Sequence, residues 1–142
     1  MEEKYTEIID GIEILEICLN DLKFKKHNFP DPEKYPDVKA TFTAAKSKYK
    51  QDNGHLEVFQ DIEFLLEEFT GDREKSRKVF ELKAGFNLLY SLKNAINEDL
   101  FEVFKKHNIP VNLHPYAREL IQSSLTRVGL PPFTLPVLKI KR

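Results

Sequence analysis

Apolar and polar residues alternate at period two in four stretches of the chain, the pattern of half-buried strands. The first runs from about Gly11 to Lys26. Leu15, Ile17 and Leu19 share one face there, and Leu22 and Phe24 continue on the opposite parity. One extra residue near Asn20 and Asp21 returns all five to one face, so a β-bulge is expected at that point. The second strand spans about Val38 to Lys50, with Val38, Ala40, Phe42 and Ala44 on one face. Asp52-Asn53-Gly54 supplies the positive φ values of a tight hairpin. In the third strand, His55 to Phe69, Leu56, Val58, Ile62, Phe64 and Leu66 face away from Glu57, Asp61, Glu63 and Glu67. The fourth carries Phe80, Leu82, Ala84, Phe86, Leu88 and Tyr90 on one face, with Glu81, Lys83 and Asn87 opposite.

Between the first two strands lies "FPDPEKYPD", Phe29 to Asp37, with three prolines. Proline has no N–H and a fixed φ, so this segment is a connection, and its length suits a crossover better than a hairpin. After the fourth strand the period changes. Asn97 is placed to cap a helix, Glu98 and Asp99 fill its first turn, and Pro110 is expected to end it. A second helix is expected from Leu113, with Pro115 in its first turn and Gly129 just past its C-cap. Leu113, Ala117, Leu120, Ile121, Ser124, Leu125 and Val128 form its apolar face. Arg118, Glu119, Gln122, Ser123, Thr126 and Arg127 form the polar side, either solvated or an interface.

Strands first and helices last define an α+β fold: a four-stranded antiparallel sheet followed by two helices packed on one face. The expected organisation is one domain over 1–142. The strands fall within about 12–93 with a Pro-rich crossover at 27–37, the helices within about 97–128, and an exit segment at 129–142. The other sheet face is rich in Glu and Lys and meets water or a partner.

Composition narrows the function classes. The 142 residues suit one domain, and 41% hydrophobic with 32% charged residues supports a packed core. A formal net charge of −1, from 22 basic and 23 acidic residues, gives no basic excess for nucleic acid. No apolar run approaches the roughly 20 residues of a membrane span, so no membrane insertion is expected. The charged N-terminal stretch "MEEKYTEIIDG" lacks a signal-peptide core, and a cytoplasmic location is expected. The 11 phenylalanines, without a tryptophan, either fill the core or line an exposed apolar groove.

Chemistry is sparse. No Gly-rich phosphate loop is present, and His27, His55, His107 and His114 lack ligand partners at i+3 or i+4, so neither metal nor cofactor is expected. Cys18 reads as a small buried side chain, since no activating group is near it in sequence. Glu67-Glu68 reads as solvated charge. His114 lacks a nucleophile or an orienting partner. No enzyme is expected.

"HPYARELIQSSLTRVGLPPFTLP" then gains a setting. With Pro115, Tyr116, Ala117, Arg118, Glu119, Gly129, Pro132, Leu135 and Pro136, it resembles the long helix and exit segment of the SecB protein-export chaperone family. "NDLKF" at Asn20 to Phe24 and "YPDVKATF" at Tyr35 to Phe42 are similar to family positions. The order of elements agrees, and the resemblance covers roughly residues 12–138. It implies an ATP-independent holdase in protein export, a homotetramer built as a dimer of dimers, which binds unfolded or precursor polypeptides. The implied client groove takes Phe29, Tyr35, Val38, Ala40 and Phe42 with Tyr116, Leu120 and Leu125; each could equally be core. Asp21 and Glu81 match acidic positions that dock the SecA motor in the family. Lys25 stands where another acid is expected, and the sequence given ends in the basic "LPVLKIKR" where the family has an acidic tail. SecB-like relatives also protect antitoxins of toxin–antitoxin systems, so an antitoxin is the alternative client. A small-ligand-binding α+β domain or enzyme is the remaining alternative.

Overall fold

The computed structural model describes residues 11–131. Four strands, β1 (Ile12–Lys26), β2 (Asp37–Asp52), β3 (His55–Phe69) and β4 (Ser76–Leu92), are followed by one helix, α1 (Glu98–Arg127). The strands form an antiparallel sheet in the order β1-β4-β3-β2. Consecutive strands β1 and β2 therefore lie at opposite edges, and residues 27–36 carry the chain across the end of the sheet.

The alternation fixes one buried face. Even-numbered residues Leu56, Val58, Ile62, Phe64 and Leu66 of β3 pair with Tyr90, Leu88, Ala84, Leu82 and Phe80 of β4, and all are buried. β1 keeps its apolar residues on that face by bulging. The expected slip at Asn20 is present, between Leu19 and Asp21. A second slip, between Ile14 and Glu16, places Leu15 in the bulge, so Ile12 and Ile14 carry on the face in its stead. Asn53 and Gly54, both at positive φ, close the two-residue β2–β3 hairpin.

The expectation of two helices is corrected: α1 is a single 30-residue helix with Pro110 and Pro115 inside it. Each interior proline removes a backbone hydrogen bond and crowds the preceding turn, at about 3 kcal/mol. The apolar stripe of Ile109, Leu113, Ala117 and Ile121 runs at i, i+4 spacing straight through both prolines, and all four are buried. Burying a Leu or Ile contributes about 1.5–3 kcal/mol, so the stripe offsets the two prolines. Local propensity placed the boundary; tertiary burial removes it.

The ends of α1 follow the sequence signals. Asn97 Oδ1 accepts from Leu100 N at 2.8 Å. At the other end Gly129 has φ +76°, its N–H donates to Thr126 O, and Leu130 N donates to Leu125 O. That is a Schellman motif, with Leu130 and Leu125 both buried as its apolar pair. Pro132, Leu135 and Pro136 of the expected exit segment lie outside the described residues.

Nothing lies within 4 Å of a Cβ added at Gly129, so Gly129→Ala meets only the backbone penalty of φ +76°. Its expected cost, read from urea unfolding, is about 1 kcal/mol, against about 2–5 kcal/mol for Ile121→Ala, which opens a cavity in the core.

Candidate functional site

The crossover is pinned to the sheet by a charged pair. Beyond Leu66 the buried face of β3 continues to Glu68, which is only 2% exposed. The reading of Glu68 as solvated charge is thereby corrected. Arg77 stands directly opposite on β4, with Nη2 3.6 Å from Glu68 Oε2. The same Nη2 donates to Phe29 O at 2.6 Å, and the guanidinium lies 4.4 Å from the Tyr35 ring centroid. Asp31 N donates to Glu68 Oε2 at 3.2 Å. The segment begins on β4 as well, where His27 N donates to Val79 O. Lys26 joins it to the helix end: Nζ donates to Val128 O at 2.8 Å and sits 3.9 Å from the Phe29 ring centroid.

The nominated groove residues do not form one surface within the chain. Phe29 (70% exposed), Val38 (60%) and Tyr116 (50%) stand open to solvent. Tyr35, Ala40, Phe42 and Leu120 are half-buried. Leu125 is fully buried in the core and is removed from the groove. Phe42 packs edge-on against His114. Asn112, by contrast, accepts from Tyr90 of β4 at 2.9 Å. Positions 112 and 114 lie about 200° apart around a helix, and Tyr116 is one turn from Asn112. The helix thus separates Tyr116 from Phe42.

On the Phe42 side is a recess that the sequence reading missed. It measures about 220 Å³ and is lined by Phe42, Ala44, Ala45, Ser47, Gln60 and Ile62 from the sheet. The helix side supplies Lys105, Lys106, Ile109, Pro110, Leu113 and His114. Two causes combine. The β2–β3 register slips between Ala44 and Ser47, and the slip residues that line the recess, Ala44 and Ala45, are small. The break in alternation after Ala44 is the sequence signal for it; the helix wall was invisible because Pro110 reads as a terminus.

The opposite, outer face holds the acidic candidates. Asp21, Gly85 and Asp61 align across β1, β4 and β3. A Cβ at Gly85 would meet both carboxylates at 3.2 Å, so glycine allows their approach. Glu81 lies on the same face, directly opposite Lys25, and is engaged by His27 Nε2 at 3.2 Å. That hydrogen bond, helped by Lys78 and Lys83, holds its carboxyl below the usual carboxylate range. Cys18 is exposed, not buried as expected. Its thiol donates to Glu16 Oε1, and that bond raises its pKa, the reverse of an activated nucleophile. Among the described residues no group of three or more His, Cys, Asp or Glu is placed to hold a metal. Among them, too, no helix is long and apolar enough to cross a membrane.

The fold and site together define an α+β chain with a crossing strap, open apolar side chains and one helix bedded on one sheet face. The chain belongs to the SecB family, preprotein translocase subunit SecB, whose model matches residues 6–140. Its fold is similar to that of the Mycobacterium tuberculosis Rv1957 SecB-like chaperone, solved in complex with a ChAD peptide from the Rv1956 HigA1 antitoxin. That likeness has a TM-score of 0.80 at 16% identity, covering 98% of this chain and 99% of that one. A protein of unknown function from Streptococcus agalactiae matches with a TM-score of 0.43 and 14% identity, covering 88% of this chain and 96% of that one. No curated protein matches the sequence.

Arg77→Ala is expected to destabilise the fold by about 3 kcal/mol, since it leaves the buried Glu68 carboxylate without its partner. Hydrogen exchange would show faster loss of protection at the Asp31, His27 and Asn28 amides than at β3. For Glu81, a depressed carboxyl contributes stability that is complete above its unfolded value and lost as pH falls through its folded one. Glu81→Gln should therefore narrow the stability difference between neutral pH and pH 3, and an unchanged difference would refute the coupling to His27.

Proposed function

We propose that this SecB-family chain acts as an ATP-independent holdase in the cytoplasm, keeping unfolded polypeptides soluble for export rather than transforming them chemically. The observation that carries this is the family match over residues 6–140. The open apolar side chains support it. A protein that binds many sequences presents adaptable apolar surface in place of a shaped catalytic pocket. Phe29, Val38 and Tyr116 supply exposed contacts, and Tyr35, Ala40, Phe42 and Leu120 supply partly buried ones. Asp21 and Glu81 stand about 13 Å apart along the sheet, from four residues of strand rise, as a face for SecA. Lys25, opposite Glu81, weakens its negative field.

Assembly is part of the proposal. β1 is an edge of the sheet and carries exposed Ile14, Leu15, Leu19 and Leu22. β2, the other edge, carries Lys39, Lys46, Lys48 and Lys50, residues that discourage edge pairing. Pairing of two chains through β1, and of two such dimers into a homotetramer, covers the apolar edge. An antitoxin is the second client class, suggested by the peptide held in the mycobacterial structure of the same fold.

The test is aggregation of a chemically unfolded reporter, without nucleotide, followed by light scattering. Suppression near one tetramer per reporter is expected; no suppression at that ratio refutes the holdase reading. A strict monomer across micromolar concentrations refutes the assembly, and a SecA pull-down separates export from a dedicated antitoxin role.

A further inference from the structure

The strap of residues 27–36 is tied to the sheet by polar and charged contacts. None of these residues is buried, and none belongs to the apolar core. His27 N and Asn28 N donate to Val79 O at 2.8 and 3.4 Å, and Asn28 Nδ2 donates to Lys78 O at 2.7 Å. His27 Nε2 lies against Glu81, and the Phe29 ring against the Lys26 ammonium. Glu68 and Arg77 make the inner anchor, through Asp31 N and Phe29 O. Other bonds stay inside the strap. Tyr35 N donates to Asp31 O at 2.8 Å, and Lys34 N to Asp31 Oδ1 at 3.3 Å. The segment therefore carries a turn of its own that does not depend on the sheet. It is flanked by the last paired residues of both edge strands, Lys26 opposite Phe80 and Asp37 opposite Phe69.

The inner anchor is incompletely satisfied. Glu68 and Arg77 approach to 3.6 Å, with side chains 3% and 25% exposed. Glu68 Oε1 and Arg77 Nε are buried and have no hydrogen-bond partner. Lifting the strap returns both charges to water and supplies those two atoms with partners, which offsets much of what the lost bonds contributed. An apolar anchor would only lose burial on lifting. We infer that residues 27–36 open as a hinged unit, turning at Lys26 and Asp37 while sheet and helix stay folded, and that the Glu68–Arg77 pair is the catch that sets how often they open. Opening frees the Tyr35 ring from the guanidinium, now 4.4 Å from its centroid, and leaves Tyr35 and Phe29 on one movable segment. Where it concerns clients, the inference rests on the holdase reading. A polypeptide that engages both rings favours the open strap, and is bound more tightly as the catch weakens.

The experiment is native-state hydrogen exchange on the full chain, read residue by residue between zero and about 1 M urea. The His27 and Asp31 amides, bonded to the sheet, are expected to exchange at least about 100-fold faster than amides of the β3–β4 ladder, at rates that urea leaves unchanged. The Tyr35 amide, bonded within the strap, should stay protected through that opening. Arg77→Lys keeps a positive charge beside Glu68 but removes the fork that also holds Phe29 O. It should speed exchange at His27 and Asp31 about tenfold, and tighten binding of an unfolded reporter by up to about tenfold in fluorescence anisotropy. The urea midpoint of the whole chain should move little. If it falls, Tyr35→Ala, which uncovers the guanidinium without touching Glu68, supplies the same exchange comparison. His27 and Asp31 rates that follow the core in urea, Tyr35 exchange in step with Asp31, or strap rates that both variants leave unchanged each overturn the hinged strap. Faster opening in Arg77→Lys without tighter reporter binding overturns the client coupling alone. The exchange measurement contains no client, so loss of reporter protection by the unaltered chain refutes the holdase reading and leaves the hinge standing.

Discussion

The stripe of Ile109, Leu113, Ala117 and Ile121 on the even-numbered face of β3 and β4 is the contact from which the other features follow. It keeps one helix continuous through two prolines. With 30 residues α1 spans about 45 Å, enough to run from the Gln51 end of the sheet to the Lys26 end. Had the chain broken at Pro110, Phe101 would still have its contact with Tyr49, but the Val128 carbonyl would not be carried to Lys26. The recess would lose one wall. The contacts at both ends of the helix are therefore joined by burial at its middle.

The second constraint is topological. Because β1 and β2 sit at opposite edges, a short segment must traverse the sheet end without regular backbone pairing. Backbone groups in such a segment need partners. Val79 O and Glu68 Oε2 accept from its backbone amides, Arg77 donates to the Phe29 carbonyl, and the Asn28 side-chain amide adds a bond to Lys78 O. A charged pair under a strap is a weaker source of net stability than an apolar contact, because desolvation consumes much of its attraction. It specifies position instead. The strap is held by directional bonds while its apolar Phe29 stays outward.

Much of the frame was legible because it depends on local rules. The Asn20 bulge followed from parity, the β2–β3 turn from Asn53-Gly54, and the helix ends from Asn97 and Gly129. What escaped depends on partners distant in sequence. Leu15 and Ile14 are adjacent apolar residues, so parity does not say which one the strand extrudes; pairing with Tyr90 decides for Ile14. Glu68 follows Glu67 and looks solvated until the crossover covers it. Proline penalties are visible in sequence, and the burial that outweighs them is not. For the site, Phe29, Val38 and Tyr116 were nominated through the family resemblance and are exposed in the structure, while helical phase places Tyr116 and Phe42 on different sides. The family resemblance carried the function; periodicity alone reached only the fold.

A holding protein must expose apolar surface without unfolding or aggregating itself, and the distribution of residues here resolves that conflict. Stability resides in β3, β4 and α1, where the buried face is continuous. Most of the open apolar residues lie on β1, on the crossover and at the start of β2, elements at the sheet periphery, and Val111 and Tyr116 add two on α1. Losing or moving a side chain there leaves the central core packed, so binding surface varies without the fold paying for it. The two edges then diverge. Bulges in β1 gather its apolar residues toward one face, which suits a protein partner of fixed shape. The slip in β2 does the opposite, setting the small Ala44 and Ala45 across from the helix and leaving room between them.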